Sequence, residues 1–363
     1  MLIILVFLCM EKNNYFKGRG AQINPHNRFF QNTYVQEHIE GLDEPFLESA
    51  DTQLIPTYPK SIISTTDSPD LRFLRSINPY QGCEHGCIYC YARNAHQYWG
   101  YSPGLDFERK ILVKYDAANL LEREFNKPHY IPSTIMLSGN TDCYQPIERK
   151  LKITRSILEV MLKYRHPVSI ISKNVLMMRD LDIIQQLAKL KLISVAVTIN
   201  SLREEVRQKM EPRTVTAQAR LGLIASLSKI NVPVMLMIAP IVPGINSEEM
   251  PALIKSAAEV GAKSASYTIV RLNGAIGDIF KDWLVKNYPD RAEKVLRGIT
   301  ECHGGKISDS EFGRRIKGEG NLAESIRGLF ALSVKRHMGE ANMPKLRTDL
   351  FCIPNKGKQL GLF

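Results

Sequence analysis

From about residue 72 onward, short apolar runs rich in β-branched residues alternate with longer segments whose apolar residues recur at helical spacing. The predicted strands and helices, in chain order, are 73–77 and 116–125, 134–137 and 149–164, 168–171 and 179–190, 193–199 and 202–228, 234–239 and 247–260, and a last strand at 265–270. Strands separated by helices pair in parallel, because a parallel pair needs a crossover connection. Six such strands predict an α/β fold, a partial (β/α)6 TIM-like barrel, short of the eight strands that close a TIM barrel.

Two segments lie outside this alternation. Residues 1–70 have no sustained periodicity and predict an irregular N-terminal extension, which assigns residues 71–282 to the barrel. Residues 283–363 form a basic C-terminal extension with one helix near 321–337. Its part from 291 onward carries 14 Lys and Arg against 8 Asp and Glu, an excess of six within a net charge of +11 for the whole chain. A basic segment suits DNA or another nucleic acid, and it equally suits a cover that packs over the open barrel.

The first nine residues are apolar. A helical membrane crossing needs about 20 apolar residues, and a signal peptide needs a positive charge before the apolar run and small residues after it. Leu8 precedes Cys9 instead, and the polar residues after Met10 make Met10 a second candidate start. We therefore expect residues 1–9 to be a mis-called start or a tail, and the protein to be cytoplasmic with no membrane partner.

Three of the seven cysteines, Cys83, Cys87 and Cys90, stand within eight positions in the loop after the first predicted strand. This grouping argues for a metal site in a reducing compartment and against a disulfide framework. A 4Fe-4S cluster ordinarily takes four cysteines, so three would leave one iron open to bind a substrate or cofactor. The spacing therefore favours an iron–sulfur centre with an open iron.

Zinc is the alternative metal for the same cysteines. A structural zinc site is closed by four ligands, and His85 or His96 would complete the set here. The sequence has no second C-x-x-C and no H-x-x-x-H, although zinc ribbons and fingers use two separated ligand pairs. The zinc hypothesis describes a non-enzymatic protein that binds nucleic acid through its charge. The identity of the bound metal separates the two hypotheses.

The cysteine loop reads C-x3-C-x2-C with Tyr89 just before the last cysteine, and it resembles the signature of the radical S-adenosylmethionine (SAM) superfamily. The resemblance covers roughly residues 70–275 and implies a partial barrel with a 4Fe-4S cluster bound in the loop after strand one. It further implies that the open iron chelates SAM, and that an electron cleaves SAM to methionine and a 5′-deoxyadenosyl radical that abstracts hydrogen. An electron donor such as flavodoxin or ferredoxin is the implied partner.

Residues 82–91 and the Asn-Thr-Asp motif at 140–142 are similar to the branch of this superfamily that includes spore photoproduct lyase. The resemblance implies that Lys173 and Thr198 contact SAM. It also implies a nucleic-acid lesion as one candidate substrate.

Segments 17–21 and 346–351 are similar to those of uncharacterised bacterial proteins described as DNA repair photolyase-like. The hydrogen-donating cysteine of spore photoproduct lyase does not carry over to this chain, because that position falls on Gly139 when the two motifs are aligned on Asp142. We therefore expect Cys143 to be a buried thiol, which is a common state of free cysteine.

Four polar residues end the second predicted strand: Ser138, Asn140, Thr141 and Asp142. The superfamily receives the SAM amino group at this place, so the resemblance implies that they bind the cofactor. Asn and Asp at a strand end are also ordinary turn formers that hydrogen-bond to their own backbone, and both interpretations stay open. Lys173 follows the third strand, where its ammonium can pair with the SAM carboxylate or ribose. A solvated loop lysine is the alternative.

Tyr89, Tyr91 and Arg93 flank the cysteines and are the catalytic candidates. They would shield the cluster or relay a hydrogen atom, and simple packing is the alternative role. Glu211 and Arg213 follow the fourth strand, where an acid and a guanidinium can hold a substrate or form an ion pair across a turn. An exposed surface pair is the alternative for these two residues.

Overall fold

The protein is described here from a computed structural model that covers residues 16–30, 51–70, 74–340 and 342–354. The β-strands are β1 (Gln53–Pro56), β2 (Ile63–Thr65), β3 (Arg75–Ile77), β4 (Tyr80–Gln81), β5 (Lys110–Val113), β6 (Ile135–Leu137), β7 (Val168–Ser172), β8 (Ile193–Thr198), β9 (Val234–Ile241) and β10 (Ser264–Ile269). The α-helices are α1 (Leu105–Arg109), α2 (Ala117–Phe125), α3 (Glu148–Leu151), α4 (Ile153–Lys163), α5 (Leu181–Lys189), α6 (Glu204–Met210), α7 (Ala217–Lys229), α8 (Met250–Glu259), α9 (Ile276–Asn287), α10 (Ala292–Glu301) and α11 (Gly320–Met338). Four 3-10 helices cover Tyr91–Trp99, Val175–Asp180, Ser247–Glu249 and Pro289–Arg291.

The larger sheet has seven strands in the order β10-β9-β8-β7-β6-β3-β2. Six of them pair in parallel, each with its neighbour, and β2 adds an antiparallel strand beside β3. Within the described ranges β2 and β10 stay at opposite edges, so the sheet is an open, partial barrel. The predicted α/β fold with six parallel strands is therefore confirmed.

The central strands of this sheet are apolar because both of their faces are covered, and every residue of β6 and β8 is buried. Ile77, Leu137, Ile170, Val197 and Leu236 each belong to a different strand and are fully buried. Such continuous burial explains why the sequence shows short apolar runs without polar–apolar alternation at these strands, whereas β9 alternates between buried and partly exposed residues. None of the helices in the described ranges has the length and apolar character that a membrane crossing requires.

Two predicted helices are each divided in the structure. The segment predicted at 149–164 forms α3 and α4, which are separated at Lys152, where φ is 56°. The segment predicted at 202–228 forms α6 and α7, with Glu211 and Pro212 between them. A proline disfavours the helical conformation in the residue before it, and this break leaves Glu211 free to turn toward the interior.

The N-terminal extension is not wholly irregular, because β1 and β2 lie within it. β1 pairs with β5 and β4 in a small second sheet, and β2 pairs with β3. Both strands have four residues or fewer and take their partners from other parts of the chain, so local periodicity carried no signal for them. The predicted C-terminal helix is confirmed as α11. The choice between Met1 and Met10 as the start lies outside the described residues.

Candidate active site

The cysteine loop begins directly after β4 and lies at the C-terminal end of β3. Cys83 and Cys87 are buried, Cys90 is partly exposed, and all three are free thiols. The loop turns at Gly82 and Gly86, whose φ angles are 82° and 69°. Such angles favour glycine, and a Cβ at Gly82 would lie 2.9 Å from a carbonyl oxygen at the start of β5. The two glycines therefore let the loop fold tightly onto the small sheet.

Burial raises the pKa of the Cys83 thiol well above its usual range and the pKa of the Cys87 thiol to about 12. The Asp142 carboxylate adds to the first shift, and the Lys173 ammonium opposes the second. A bound metal supplies the positive charge that stabilises a thiolate. These buried thiols are therefore suited to ionise when a cationic centre binds between them.

The three thiols of the loop are candidate ligands for an iron–sulfur cluster. In the described ranges, no group of three or more His, Cys, Asp or Glu side chains is arranged around one ion position. A 4Fe-4S cluster is polynuclear, and different thiolates bind different irons, so the sulfurs need not converge on one point. Three free thiols in one loop are thus a suitable ligand set for a cluster with one open iron.

The two histidines of the zinc hypothesis make contacts with other residues. The His85 ring lies against Asp142, with 3.4 Å between Nδ1 and a carboxylate oxygen. The His96 ring is buried beside Tyr101 and Phe107, with centroid separations of 5.3 and 5.6 Å, and burial lowers its pKa to about 4. The His85 ring is thus paired with Asp142, whereas both ring nitrogens of His96 are buried without a hydrogen-bond partner among the described residues.

Lys173 follows β7, and its ammonium lies among four groups that can be anionic: Cys87, Glu211, Asp142 and Cys90. Burial lowers the pKa of this lysine, but the four neighbours together raise it above its usual value. Within the described ranges the ammonium makes no hydrogen bond or close ion pair of its own. A half-buried, protonated amine next to the cysteine loop is therefore available to an anionic ligand.

Asp142 connects the ends of β6 and β7. Its carboxylate accepts hydrogen bonds from the Ser172 hydroxyl at 2.8 Å, from the backbone N–H of Lys173 at 2.9 Å and from the backbone N–H of Tyr144 at 2.9 Å. The last of these bonds is the turn-forming contact that the sequence left open. The other two fix the backbone that carries Lys173, so Asp142 has a positioning role in addition to its charge.

The other residues of the second strand's end are placed in the same turn. The Ser138 hydroxyl accepts from the N–H of the buried Cys143 at 2.8 Å, and the Thr141 hydroxyl donates to a backbone carbonyl at 2.5 Å. Asn140 is more open, and its amide donates to the Gln81 side chain at 3.1 Å. Ser138 and Thr141 thus stabilise the turn, while Asn140 keeps part of its surface accessible. The expectation that Cys143 is a buried thiol is confirmed.

Tyr89 belongs to a buried network at the ends of β8 and α6. Its hydroxyl donates to the Glu211 carboxylate and accepts from the Asn200 amide at 2.7 Å. Glu211 also forms an ion pair with Arg220, with 2.6 Å between nitrogen and oxygen, and both side chains are 1% exposed. The exposed surface pair considered for Glu211 is therefore wrong, since its partner is the buried Arg220 and not Arg213. Thr198 is buried beside this network, and its carbonyl accepts from Arg220 at 2.8 Å.

Sequence reasoning missed Asn200 and Arg220. Asn200 follows the fourth barrel strand directly, where side chains gather in parallel α/β folds, so its position was a usable signal. Arg220 stands inside α7 with no such signal, because a helical arginine is ordinarily exposed. Its role depends on the break between α6 and α7, which brings Glu211 within reach.

Replacing Arg220 by alanine is expected to destabilise the protein by about 3–5 kcal/mol, since it leaves a buried carboxylate without its partner. Urea denaturation of the variant would measure this change. Arg297→Ala is the matched control, because the Arg297–Glu293 pair is exposed and such pairs contribute about 0–1 kcal/mol. Equal losses in the two variants would contradict the assignment of Arg220 as a buried structural cation.

The same ion pair has a pH signature. Burial would raise the pKa of Glu211, but the charges of Arg220 and Lys173 lower it to about 2 from an ordinary 4.5. A depressed carboxyl pKa stabilises the fold above the ordinary value, and this stabilisation is lost as the pH falls toward the folded value. The wild-type protein should therefore lose stability between about pH 4.5 and pH 2, and Arg220→Ala should lose less in that window.

Tyr91 and Arg93 stand at the start of the 3-10 helix after Cys90. The Tyr91 hydroxyl donates to the Gly139 carbonyl at 2.5 Å, while about half of its side chain is exposed. Arg93 is fully buried, and its guanidinium donates to the Cys87 carbonyl at 3.0 Å and to the Glu108 carboxylate at 2.6 Å. Tyr91 is thus open to a ligand, whereas the contacts of Arg93 support a positioning role in the cysteine loop.

The N-terminal segment at residues 16–30 packs against this loop through Glu108. The Glu108 carboxylate accepts from the backbone N–H groups of Gly20 and Ala21 at 3.0 and 2.8 Å. A Cβ at Gly20 would lie 1.8 Å from the Gly86 carbonyl oxygen, so the two backbones touch at these glycines. Glu108 therefore connects the N-terminal segment, Arg93 and the cysteine loop. No local sequence pattern predicted this contact.

Comparison with known proteins agrees with this geometry. Residues 77–257 match the family model of the radical SAM superfamily. An uncharacterized protein of Mycobacterium tuberculosis (strain ATCC 25618 / H37Rv) is 32% identical over 222 residues, which is 61% of this chain and 65% of that protein. An uncharacterized protein of Methanocaldococcus jannaschii is 28% identical over 243 residues, 67% of this chain and 86% of that protein. The chain thus spans about 65% of the length of its mycobacterial relatives.

A solved structure of spore photoproduct lyase complexed with dinucleoside spore photoproduct is also similar. Its TM-score is 0.58 at 15% identity, over 79% of this chain and 80% of that one. At this identity the likeness concerns the fold alone, and it agrees with the open, partial barrel described above.

Proposed function

The chain belongs to the radical SAM superfamily through residues 77–257, and from this membership we propose that it is an enzyme in which Cys83, Cys87 and Cys90 hold a 4Fe-4S cluster. When bound, such a cluster supplies an open iron for SAM and the electron that cleaves SAM to methionine and a 5′-deoxyadenosyl radical for hydrogen abstraction. The observation that carries this proposal is the set of three free thiols in one loop at the C-terminal end of β3. Flavodoxin or ferredoxin, in the cytoplasm, is the proposed source of the electron.

The residues around the loop have separate tasks in this proposal. The Lys173 ammonium binds the SAM carboxylate or ribose, since it is protonated and has no ion pair of its own in the described ranges. Asp142 holds the backbone of Lys173 in place. Asn140 and Thr198, at the ends of β6 and β8, contribute further polar contacts to SAM. Tyr91 faces the open side of the loop, where a substrate enters.

Lys173→Met is expected to weaken SAM binding about tenfold to a hundredfold, the loss that one charge-assisted hydrogen bond produces. Equilibrium binding of SAM to the reconstituted protein under anaerobic conditions would measure it. Lys189→Met, at the exposed end of α5, removes the same charge away from the loop and should leave SAM affinity unchanged. An unchanged affinity in Lys173→Met would instead show that the lysine is a solvated loop residue.

The substrate is proposed to be a nucleic acid that carries a lesion. Two observations support this class: the net charge of +11 and the similarity to spore photoproduct lyase, whose structure holds a dinucleoside photoproduct. Positive charge favours phosphate-rich partners without reading their sequence.

The test of the proposed function begins with anaerobic reconstitution in iron and sulfide. We expect about four irons per chain, as one cubane requires, and release of 5′-deoxyadenosine from SAM that depends on dithionite. Ultraviolet-irradiated DNA is then the first substrate to assay. Binding of zinc with SAM left intact would refute the enzyme and support the non-enzymatic nucleic-acid-binding alternative.

A further inference from the structure

The loop after β10 lies between the cysteine loop's helix and the C-terminal extension. The carbonyl of Asn273 accepts from the Asn94 amide at 2.8 Å, and Asn94 stands on the 3-10 helix that follows Cys90. The N–H of Leu272 donates to the carbonyl of Ile307 at 3.1 Å. Because β10 is parallel to the other barrel strands, its loop emerges at the same end of the sheet as the cysteines.

Arg271 is in this loop and is partly buried without a carboxylate partner. One guanidinium nitrogen donates to the backbone carbonyl of Asp309 at 3.3 Å. The nearby carboxylates are engaged by other arginines: Asp70 lies 2.5 Å from Arg315, and Asp309 lies 2.5 Å from Arg314. A guanidinium has five N–H donors, so most of the donors of Arg271 are unused within the described part of the chain.

The charged groups near Arg271 are of both signs. Burial and the charge of Arg315 lower the pKa of Arg271, and the Asp70 and Asp309 carboxylates only partly oppose them. Tyr91 is within the electrostatic reach of both Lys173 and Arg271. Two cations therefore act on one exposed tyrosine beside Cys90, and an anion near Arg271 would relieve the repulsion between Arg271 and Arg315.

We propose that Arg271 binds a phosphate group of the substrate at the open end of the barrel, beside Tyr91. The planar guanidinium fork matches two phosphate oxygens, and this bidentate pairing is stronger than the contact of a point charge. Lys173 is assigned to SAM, so Arg271 would hold the second ligand near Tyr91. The proposal deepens the proposed function and rests on it for the identity of the ligand as substrate.

The phosphate has two candidate sources, a phosphodiester of nucleic acid or a small phosphorylated compound. The test therefore uses fluorescein-labelled decathymidylate as one probe, with thymidine monophosphate and inorganic phosphate as competitors. Binding is measured anaerobically on the full chain as a function of salt concentration. It requires no SAM cleavage, so a failure of this proposal is distinguishable from a failure of the proposed enzyme.

Arg271→Gln is expected to weaken decathymidylate binding about tenfold, as loss of one charge-assisted contact does. The plot of the logarithm of the binding constant against the logarithm of the salt concentration should also become less steep, its slope falling in magnitude by about 0.7, the value for one phosphate contact on a single strand. Arg271→Lys should keep the salt dependence of binding, because the positive charge remains. It should lose part of the affinity, because lysine lacks the planar guanidinium that binds two phosphate oxygens at once. Lys263→Gln is the matched control, since Lys263 is exposed and precedes β10 at the opposite end of the same strand.

Unchanged affinity and slope in Arg271→Gln would overturn the proposal, as would equal losses in Lys263→Gln, which would indicate binding by overall charge. If thymidine monophosphate or inorganic phosphate binds with the same dependence on Arg271 and decathymidylate binds no tighter, the phosphate site stands and belongs to a small compound.

Discussion

The variant in which Cys83, Cys87 and Cys90 are all replaced by alanine should bind no iron after reconstitution, and it should release no 5′-deoxyadenosine above background. The physical reason is that these three free thiols are the proposed ligands of the cluster. Without the cluster, no iron is present to bind SAM or to deliver the electron that cleaves it. Iron and sulfide content, together with dithionite-dependent product formation, would be compared with the wild type, for which about four irons are expected.

The control for this variant is Cys352→Ala, because Cys352 is an exposed free thiol outside the loop. It should retain full iron content and full SAM cleavage. Circular dichroism of the triple variant should remain that of the wild type, since each substitution removes a single sulfur atom from the loop. Cys83 belongs to a small apolar cluster with Ala92 and Phe107, and Cys87 belongs to a larger one. Iron binding that survives the triple substitution would show that the cluster has other ligands. Zinc binding in the wild type would contradict the proposal that these cysteines hold an iron–sulfur cluster.

The sequence was sufficient for the parallel sheet because the central barrel strands are buried along their length and most barrel strands are followed by a helix before the next strand. It was sufficient for the cysteine loop because all three thiols are close in sequence. It failed for β1 and β2, which are too short to show a period, and β1 also depends on a partner strand far along the chain. Fold elements were thus predictable where the signal is local.

The residues of the site divide in the same way, into those that a local sequence signal predicts and those that it does not. Lys173 stands directly after β7, and Asp142 lies in the loop that follows β6. Their positions in the sequence therefore indicated a site. Arg220 reaches the site from within a helix, and Glu108 lies at a place where no strand of the predicted barrel ends. Buried polar residues such as these two meet their partners only in the folded structure, and no pattern in a single sequence predicts which residues will pair.

Substitution of Gly20 by alanine should reduce iron incorporation several-fold and shorten the lifetime of the cluster in air. The added Cβ would lie 1.8 Å from the Gly86 carbonyl oxygen, so one of the two backbones must move. Movement of residues 20 and 21 would break their hydrogen bonds to the Glu108 carboxylate, and each unsatisfied buried group costs about 1–3 kcal/mol. Glu108 also holds Arg93, which binds the Cys87 carbonyl.

The disturbance is therefore expected to reach the cysteine loop, although Gly20 supplies no ligand. Gly222→Ala is the matched control, because a Cβ there meets no atom within 4 Å and a helical alanine is favoured over glycine by about 1 kcal/mol. It should bind iron as the wild type does. Absorbance near the iron–sulfur bands, followed during exposure to air, would measure the lifetime in both variants. A Gly20→Ala protein with normal iron content and lifetime would show that the N-terminal segment merely covers the loop, whereas a selective loss would show that Glu108 transmits its position to Cys87.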